Sequence, residues 1–189
     1  MKFLKLSFLQ FSAVALIALA AFSVQAQNST ITKDLPNFYP VNNVLYRGGQ
    51  PTEAGIKELA KMGVKTIIDL RGADERAKRE EVWAQNAGLK FINKPLNNWR
   101  GPKTEKIEEI EKLINAPENQ PVFVHCQRGA DRTGTVVAVY RITQDNWTAE
   151  QANAEAKKFG FGWWQFWMKD YINDYYKRMM ALRKTQKMD

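Results

Sequence analysis

The sequence predicts a single α/β domain built on a mostly parallel central sheet that is flanked by helices. Short apolar runs rich in β-branched residues alternate with amphipathic stretches from residue 44 onward. Such alternation is typical of parallel strands joined by helices that cover both faces of the sheet. The chain has 189 residues, a length that supports one hydrophobic core once an N-terminal targeting segment is set aside. We therefore expect one domain over residues 39–189.

Glycines and hydrophobic periodicity delimit the elements in the first half of this domain. One amphipathic stretch ends at Gly63 and a second ends at Gly88, and glycine commonly follows the last residue of a helix. The run from Val64 to Leu70 is strongly β-branched, as buried strands are. We predict strands at residues 44–46, 64–70 and 89–92, and helices at residues 53–62 and 74–87.

The second half continues the alternation. Turn-forming residues at 97–102 predict a loop, and the apolar run from Val122 to Val124 predicts a buried strand. Thr148, followed closely by Glu150 and Gln151, is a helix-capping signal. We predict a strand at residues 121–125, helices at residues 104–114, 133–144 and 163–182, and a shorter helix that begins at Thr148.

The last predicted helix is rich in aromatic residues. Such residues more often pack between helices than form an exposed platform for a membrane or a ligand. We therefore expect helix packing, with a platform as the alternative. The aromatic residues concerned are Trp163, Trp164, Phe166, Trp167, Tyr171 and Tyr175.

The N-terminus has the order of residues that is typical of a secretory signal peptide. Lys2 and Lys5 precede a charge-free apolar run at residues 13–22, and a short segment of small residues ends at Ala26. The apolar run is shorter than the about 20 residues that a membrane span needs. We expect export to the periplasm or beyond the cell without a stable membrane span after cleavage, and an uncleaved anchor is the alternative. The predicted divisions are a signal peptide over residues 1–26 and a polar linker over residues 27–38.

Charge and composition restrict the function classes. The net charge is +8, which suits an anionic substrate. The basic residues are spread along the chain and mixed with acidic ones, unlike the basic stripe of nucleic-acid-binding proteins.

The chain has one cysteine and one histidine. No internal disulfide can form, because Cys126 is the only cysteine. The only histidine, His125, adjoins it on a predicted strand, where neighbouring side chains point to opposite faces. A Cys-His hydrolase and a zinc site built on several such ligands are therefore excluded, and we expect neither a metal nor a cofactor.

The segment from Cys126 to Arg132 joins the end of a strand to the start of a helix. Backbone N–H groups in such a loop can surround a phosphate, together with the free amides of the helix N-terminus. The same position stabilises a cysteine thiolate, and the guanidinium of Arg132 can hold two phosphate oxygens. Thr133 can donate to the sulfur, or it can bond a backbone group in the first turn of the helix.

Residues 125–134 resemble the HCxxGxxRTG signature of the cysteine-based tyrosine and dual-specificity phosphatases. Residues 45–51 and 66–71 resemble the start of the compact, atypical dual-specificity members, so the resemblance covers about residues 44–145. The resemblance implies a phosphatase-like fold and the hydrolysis of phosphate monoesters, either of the phosphotyrosine type or small molecules. It also implies that Cys126 is the nucleophile that forms a phosphocysteine and that Arg132 holds the phosphate group. Other expected substrate-binding residues are Gln127, Arg128, Gly129, Ala130, Gly134, Trp99 and Arg100.

One part of the family pattern is missing. Such phosphatases usually carry a proton-donating aspartate on a loop that corresponds to residues 95–102, and this loop holds no carboxylate. Asp131 is the candidate replacement, since myotubularin-like phosphatases carry an aspartate at the same place in the loop. A structural role for Asp131 is the alternative. Inositol-phosphate hydrolysis, sulfur transfer and a weakly catalytic phospho-ligand binding module remain as competing functions.

Overall fold

A five-stranded sheet forms the centre of the computed structural model, which describes residues 33–186. The strands lie in the order β1-β2-β5-β3-β4, and all neighbours are parallel except β1, which is antiparallel to β2. The predicted α/β class with a mostly parallel sheet is confirmed. The strands are β1 (Tyr39–Pro40), β2 (Leu45–Gly48), β3 (Thr66–Asp69), β4 (Lys90–Asn93) and β5 (Val122–His125).

Between residues 53 and 186, six helices surround this sheet. They are α1 (Glu53–Lys61), α2 (Glu75–Asn86), α3 (Thr104–Asn115), α4 (Asp131–Gln144), α5 (Ala149–Lys158) and α6 (Phe166–Gln186), and a 3₁₀ turn covers Pro117–Asn119. Helix α4 begins two residues earlier than predicted, so that Asp131 and Arg132 belong to its first turn. Helix α6 begins three residues later, because Gly160 has φ +81° and the backbone turns between Gly162 and Gln165. Within residues 33–186, no helix has both the length and the apolar character that a bilayer crossing requires.

The two faces of the sheet carry separate hydrophobic cores. Alternate residues of a strand point to opposite faces, so Ile67 and Phe123 pack against α1 and α2, whereas Ile68 and Val124 pack beneath α3, α4 and α6. These four side chains are fully buried, and each such burial contributes about 1.5–3 kcal/mol before entropy is counted. Burial on both faces explains why the strands are continuous apolar runs.

Side-chain caps fix the starts of three helices. The side chain of Thr52 accepts a hydrogen bond from the N–H of Gly55 at the start of α1, and Asp74 accepts from the first turn of α2. At α5, Thr148 and Gln151 form a reciprocal capping box, which confirms the predicted capping signal. Such caps contribute about 1 kcal/mol each.

The predicted linker over residues 27–38 overlaps the described residues at its end. Leu35 is only 1% exposed and packs with Ile56 and Phe123. Asp34 Oδ1 accepts a 2.7 Å hydrogen bond from Thr52 Oγ1. The packed domain therefore begins before residue 39, because one buried leucine and one cap contact tie residues 34–38 to it. The predicted signal peptide, residues 1–26, lies outside the described residues.

The strand register aligns the last residues of three strands at one end of the sheet. Gly48 at the end of β2 and Asp69 at the end of β3 both pair with His125 at the end of β5. Ligands of open parallel sheets bind outside the carboxyl ends of the strands. The loop that follows His125 is therefore in the position where this class of fold places its site.

Candidate active site

The loop that follows β5 turns directly into α4. Cys126 is its first residue and is 3% exposed, while Asp131 is the first residue of the helix. Gly129 has φ +71°, and a Cβ atom at this position would lie 2.4 Å from the carbonyl carbon of Gly48. The loop thus packs against the end of β2 too closely for any side chain at position 129.

Two contacts from the β2 side brace the loop. The backbone N–H of Gln50 donates to the carbonyl of Gln127 at 3.1 Å, and Arg47 Nη2 donates to the carbonyl of Gly129 at 2.7 Å. The guanidinium of Arg47 is buried and lies 3.9 Å from the ring centre of Phe159. Burial lowers the pKa of Arg47 to about 10, although the negative charges of Glu155 and Cys126 oppose the shift. Arg47 therefore stays cationic at neutral pH beneath the loop.

The loop opens into a cavity of about 320 Å³. Five of the predicted site residues line it together, and two residues from distant segments complete the wall. Its lining consists of Cys126, Gln127, Arg128, Asp131, Arg132, Asn98 and Trp164. The cavity therefore joins a cysteine, two guanidinium groups and one carboxyl group in a space that fits a phosphate group with part of its substituent.

Two predicted substrate-binding residues do not line this cavity. Trp99 is 78% exposed and Arg100 is exposed as well. The side chain of Asn97 accepts a 2.7 Å hydrogen bond from the N–H of Trp99, and the resulting turn directs Asn98 rather than its two successors toward the cavity. Both residues are exposed outside the cavity lining, and their part in substrate binding stays a prediction.

Three other predicted binding residues act from behind the cavity wall. Ala130 is 3% exposed, and Gly129 packs on β2 as described above. A Cβ atom at Gly134 would lie 2.9 Å from the ring of Phe161. These residues shape the loop and its packing, and the cavity lining does not include them.

The surroundings of Cys126 favour its thiolate. Burial by itself would raise the pKa of the thiol, but the hydroxyl and backbone N–H of Thr133, the charge of Arg132 and the N–H of Gly129 outweigh it and lower the pKa. The Thr133 hydroxyl is also 3.5 Å from the carbonyl oxygen of Gly48, a distance too long for a strong hydrogen bond. The sulfur is therefore the better partner of the Thr133 hydroxyl.

Arg132 and Asp131 are both held by groups outside the loop. Arg132 Nη1 donates to the carbonyl of Leu70 at 3.2 Å, just beyond β3. The Asp131 carboxylate accepts from Arg128 Nη2 at 2.6 Å and from the backbone N–H of Gly162 at 2.8 Å. Asp131 thus links the loop to the segment that carries Trp164, and it is the one carboxyl group in the described cavity lining.

A network of four buried charged or polar side chains lies beneath the loop. It consists of Asp69, Arg71, Glu80 and His125, and each is at most 2% exposed. Arg71 binds both carboxylates, through Nε to Asp69 at 2.9 Å and through Nη2 to Glu80 at 2.6 Å. One ligand atom each of Asp69, Glu80 and His125 lies within 4.8 Å of the others, but the guanidinium of Arg71 already pairs with both carboxylates and offsets one of their two charges.

His125 connects this network to the loop. Its Nδ1 is 3.2 Å from the carbonyl oxygen of Cys126, and its Nε2 is 2.7 Å from Glu80 Oε1. Burial alone would lower the pKa of His125, but the nearby carboxylates of Glu80 and Asp69 outweigh it and raise the pKa. The His125 ring thus links the buried network to the backbone of the loop.

The sequence analysis missed three residues around the site. Glu80 has a detectable signal, because it shares the buried face of α2 with Ala77 and Ala84 at helical spacing. Asn98 and Trp164 have no such signal, since their positions depend on how distant loops fold back over the cavity.

The aromatic residues at the end of the chain differ in burial. Tyr171 and Tyr175 are buried and pack as expected, whereas Trp163, Trp164 and Phe166 are exposed. The expectation of helix packing is therefore wrong for these three aromatic residues.

Comparisons with known proteins agree with this geometry. The family model described as DSP-PTPase phosphatase fused to NAD+ kinase matches residues 12–165 of the chain. Dual specificity protein phosphatase TpbA of Pseudomonas aeruginosa is 30% identical over 126 residues, which cover 67% of this chain and 56% of TpbA. The match thus spans little more than half the length of that relative.

Two solved structures share the fold. The core catalytic domain of the PP-IP phosphatase SIW14 from S. cerevisiae aligns with a TM-score of 0.68 and 22% identity, over 79% of this chain and 94% of that domain. P. aeruginosa TpbA in complex with pTyr aligns with a TM-score of 0.63 and 24% identity, over 76% of this chain and 90% of that one. At these identities the two likenesses establish the fold.

Proposed function

The chain belongs to the DSP-PTPase phosphatase family, and from this premise we propose that it hydrolyses phosphate monoesters, of the tyrosine or dual-specificity type, through a phosphocysteine intermediate. The observation that carries the proposal is the position of Cys126, whose pKa is lowered, in the same cavity as Arg132. A thiolate beside a guanidinium and a ring of backbone N–H groups combines a nucleophile with groups that match the charge of a transferring phosphoryl group.

In the first step, the Cys126 thiolate attacks phosphorus in line with the ester oxygen. The sulfur–phosphorus bond forms as the phosphorus–oxygen bond breaks, and Arg132 together with the loop amides stabilises the oxygens of the phosphoryl group. The leaving oxygen needs a proton, and Asp131 is the carboxyl group within the cavity that can supply it. A bound phosphate dianion competes with the Asp131 carboxylate for the guanidinium of Arg128.

In the second step, water attacks phosphorus and the sulfur–phosphorus bond breaks. The Asp131 carboxylate formed in the first step accepts the proton of the attacking water, and inorganic phosphate leaves. The hydroxyl of Thr133 donates to the sulfur and stabilises the thiolate as it departs. The residues thus return to their starting protonation states after each turnover.

Phosphate release from an aryl phosphate, a phosphotyrosyl peptide and inositol hexakisphosphate, with Cys126→Ser as the control, tests this function. We expect turnover of the first two substrates and its loss in the variant, because the serine hydroxyl does not ionise near neutral pH. Preferential release from inositol hexakisphosphate would instead assign the cavity to inositol phosphates. Binding of all three esters without turnover would identify a phospho-ligand binding module and contradict the proposal.

We further propose that residues 1–26 act as a cleaved signal peptide and that the protein functions in the periplasm or outside the cell. The order of Lys2 and Lys5, the apolar run and the small residues before Gln27 supports this proposal. N-terminal sequencing of the protein recovered from the periplasm of a Gram-negative host should start at Gln27. Retention in the cytoplasm with the N-terminus intact would contradict it.

A further inference from the structure

Four large aromatic side chains are exposed near the mouth of the cavity. Trp163 is 88% exposed, Trp99 78%, Phe166 61% and Trp164 42%. We call these four residues the aromatic rim. Single exposed apolar residues are ordinary on protein surfaces, whereas a cluster of them marks a site of interaction with a partner or a membrane.

The rim comes from two segments that meet at the same opening. Asn98, next to Trp99, lines the cavity together with Trp164. A Cβ atom at Gly101 would lie 3.3 Å from the carbonyl oxygen of Trp167, so the two segments are in direct contact. The rings of Trp163 and Trp164 are 5.9 Å apart in an edge-to-face arrangement. The two segments that carry the rim therefore adjoin the cavity that Cys126 lines.

Cationic side chains flank the rim. The guanidinium of Arg128 lies 5.8 Å from the ring centre of Trp164, and its side chain is 54% exposed. On the other side, Trp163 borders a groove of about 310 Å³ together with Lys157 and Lys169. Among the described residues, no carboxylate lines this groove. The groove beside Trp163 is thus positively charged, whereas the charge of Arg128 is paired with Asp131 at 2.6 Å until an anion competes for it.

We propose that the aromatic rim docks the protein on the surface of an anionic lipid bilayer, where the cavity receives the phosphate monoester of a lipid headgroup. Tryptophan is enriched at the boundary between lipid and water, because its ring is apolar and its N–H is polar. Lysine and arginine beside such residues attract anionic lipids. A protein partner fits less well, since lysine is depleted from protein interfaces. The docking does not depend on catalysis. The inference that a lipid headgroup is the substrate rests on the proposed function.

Vesicle sedimentation of the full chain tests the docking. The vesicles contain phosphatidylcholine alone, or phosphatidylcholine with phosphatidylglycerol in equal parts. We expect wild type to bind the anionic vesicles, and the double variant Trp163→Ala/Phe166→Ala to bind them about tenfold more weakly, a change of ~1.4 kcal/mol. All proteins share the same N-terminal apolar run, so the difference between variants reports on the rim.

A matched control and a second substrate separate docking from folding and from catalysis. Leu182→Ala removes another exposed apolar side chain of α6, 58% exposed and about 24 Å along the helix from Phe166 at 1.5 Å per residue, and it should leave vesicle binding unchanged. Phosphate release from phosphatidic acid vesicles should fall about tenfold in the double variant, in proportion to binding. Hydrolysis of a soluble aryl phosphate should stay at the wild-type rate, because neither residue lines the cavity.

Three outcomes would overturn the inference. If wild type hydrolyses the aryl phosphate but binds neither the phosphatidylglycerol vesicles nor the phosphatidic acid vesicles, docking is contradicted and the proposed function is unaffected. Equal binding of wild type and the double variant removes the role of the rim. Self-association that depends on Trp163, in place of vesicle binding, identifies a protein interface instead. Vesicle binding without turnover of any ester would support the docking and contradict the proposed function.

Discussion

Cys126 is buried at the base of the cavity, where an apolar environment by itself would keep its thiol protonated. Its pKa is lowered because Thr133, Arg132 and the N–H of Gly129 favour the charged form more strongly than burial opposes it. Thr133 is the one contributor among these whose side chain is free of a strong competing contact. The Thr133 hydroxyl therefore makes the largest of the contributions that lower the pKa of Cys126.

Replacement of Thr133 by valine should raise the pKa of Cys126. Valine keeps the shape of threonine and removes the hydroxyl, so the pH midpoint for inactivation by iodoacetate should move upward, toward the value of about 8.5 for a free thiol. Thr135→Val is the matched control, because Thr135 is equally buried but donates to the carbonyl of Asp131 instead. An unchanged midpoint in Thr133→Val would remove this hydroxyl from the account of the thiolate.

Asp131→Asn should separate substrates by their leaving groups. An asparagine can still accept from Gly162 but cannot supply a proton, and a positioned acid contributes about 10²–10⁴ in rate. We expect kcat/KM to fall within that range for an alkyl phosphate and to change little for an activated aryl ester. Asp145→Asn, at the other end of α4 and paired with Arg141, serves as the control. An equal fall for both esters would assign Asp131 a structural role.

Helix α2 positions the loop through one buried carboxylate. Glu80 contacts Arg71 and His125, and His125 in turn contacts the backbone of Cys126. The helix therefore stabilises the site although none of its residues lines the cavity. Arg71, at 2% exposed, would have lost most of its hydration without the two carboxylates that it binds.

Loss of Glu80 should destabilise the whole domain. Glu80→Ala leaves two buried cationic groups with one carboxylate between them, and the removal of one partner from a buried ion pair typically costs about 3–5 kcal/mol. Urea unfolding followed by circular dichroism measures the change. Glu81→Ala is the control, since Glu81 is exposed one position further along the same helix. Similar stability of the two variants would show that the network contributes little.

At the scale of the whole molecule, another buried carboxyl group lies between helices on the other side of the sheet. Glu111 of α3 accepts a 3.1 Å hydrogen bond from Thr143 of α4. Burial raises the pKa of Glu111 to about 8, and the bond from Thr143 offsets only part of that rise. Tyr175 of α6 is also affected, since burial and the charge of Glu111 raise its pKa to about 12. Ionisation of Glu111 therefore opposes the packing of three helices.

The sign of the resulting pH dependence follows from this shift. Because the folded pKa of Glu111 lies above its ordinary value of 4.5, the folded state binds more protons than the unfolded state between about pH 4.5 and 8, and stability falls as pH rises through this range. Glu111→Gln should remove this loss and raise the free energy of unfolding at pH 8 by on the order of 2 kcal/mol. Glu108→Gln, exposed on the same helix, controls for net charge. If the free energies of unfolding of Glu111→Gln and wild type, measured with urea, change in parallel with pH, the pH dependence does not come from Glu111.

Local patterns were enough to predict most of the fold and five of the seven residues that line the cavity. The strand, loop and helix around Cys126 are contiguous in sequence, so hydrophobic periodicity and the spacing of Cys126 and Arg132 identify them directly. The two-residue strand β1 is too short for periodicity to reveal. Asn98 and Trp164 reach the cavity through tertiary contacts between distant loops, which no local pattern encodes. For the same reason residues 163–165, which lie in the turn that follows Gly160, were predicted as the start of a helix.

The close packing of Gly129 against β2 determines how substrate choice in this loop can be altered by directed evolution. Gly129 has no room for a side chain, and Ala130 is buried against the core. Gln127 and Arg128 are exposed on the cavity wall, as their side chains point away from the backbone that cradles the phosphate. A combinatorial library at these two positions therefore explores new specificities, whereas one that includes position 129 consists mainly of clones that do not fold.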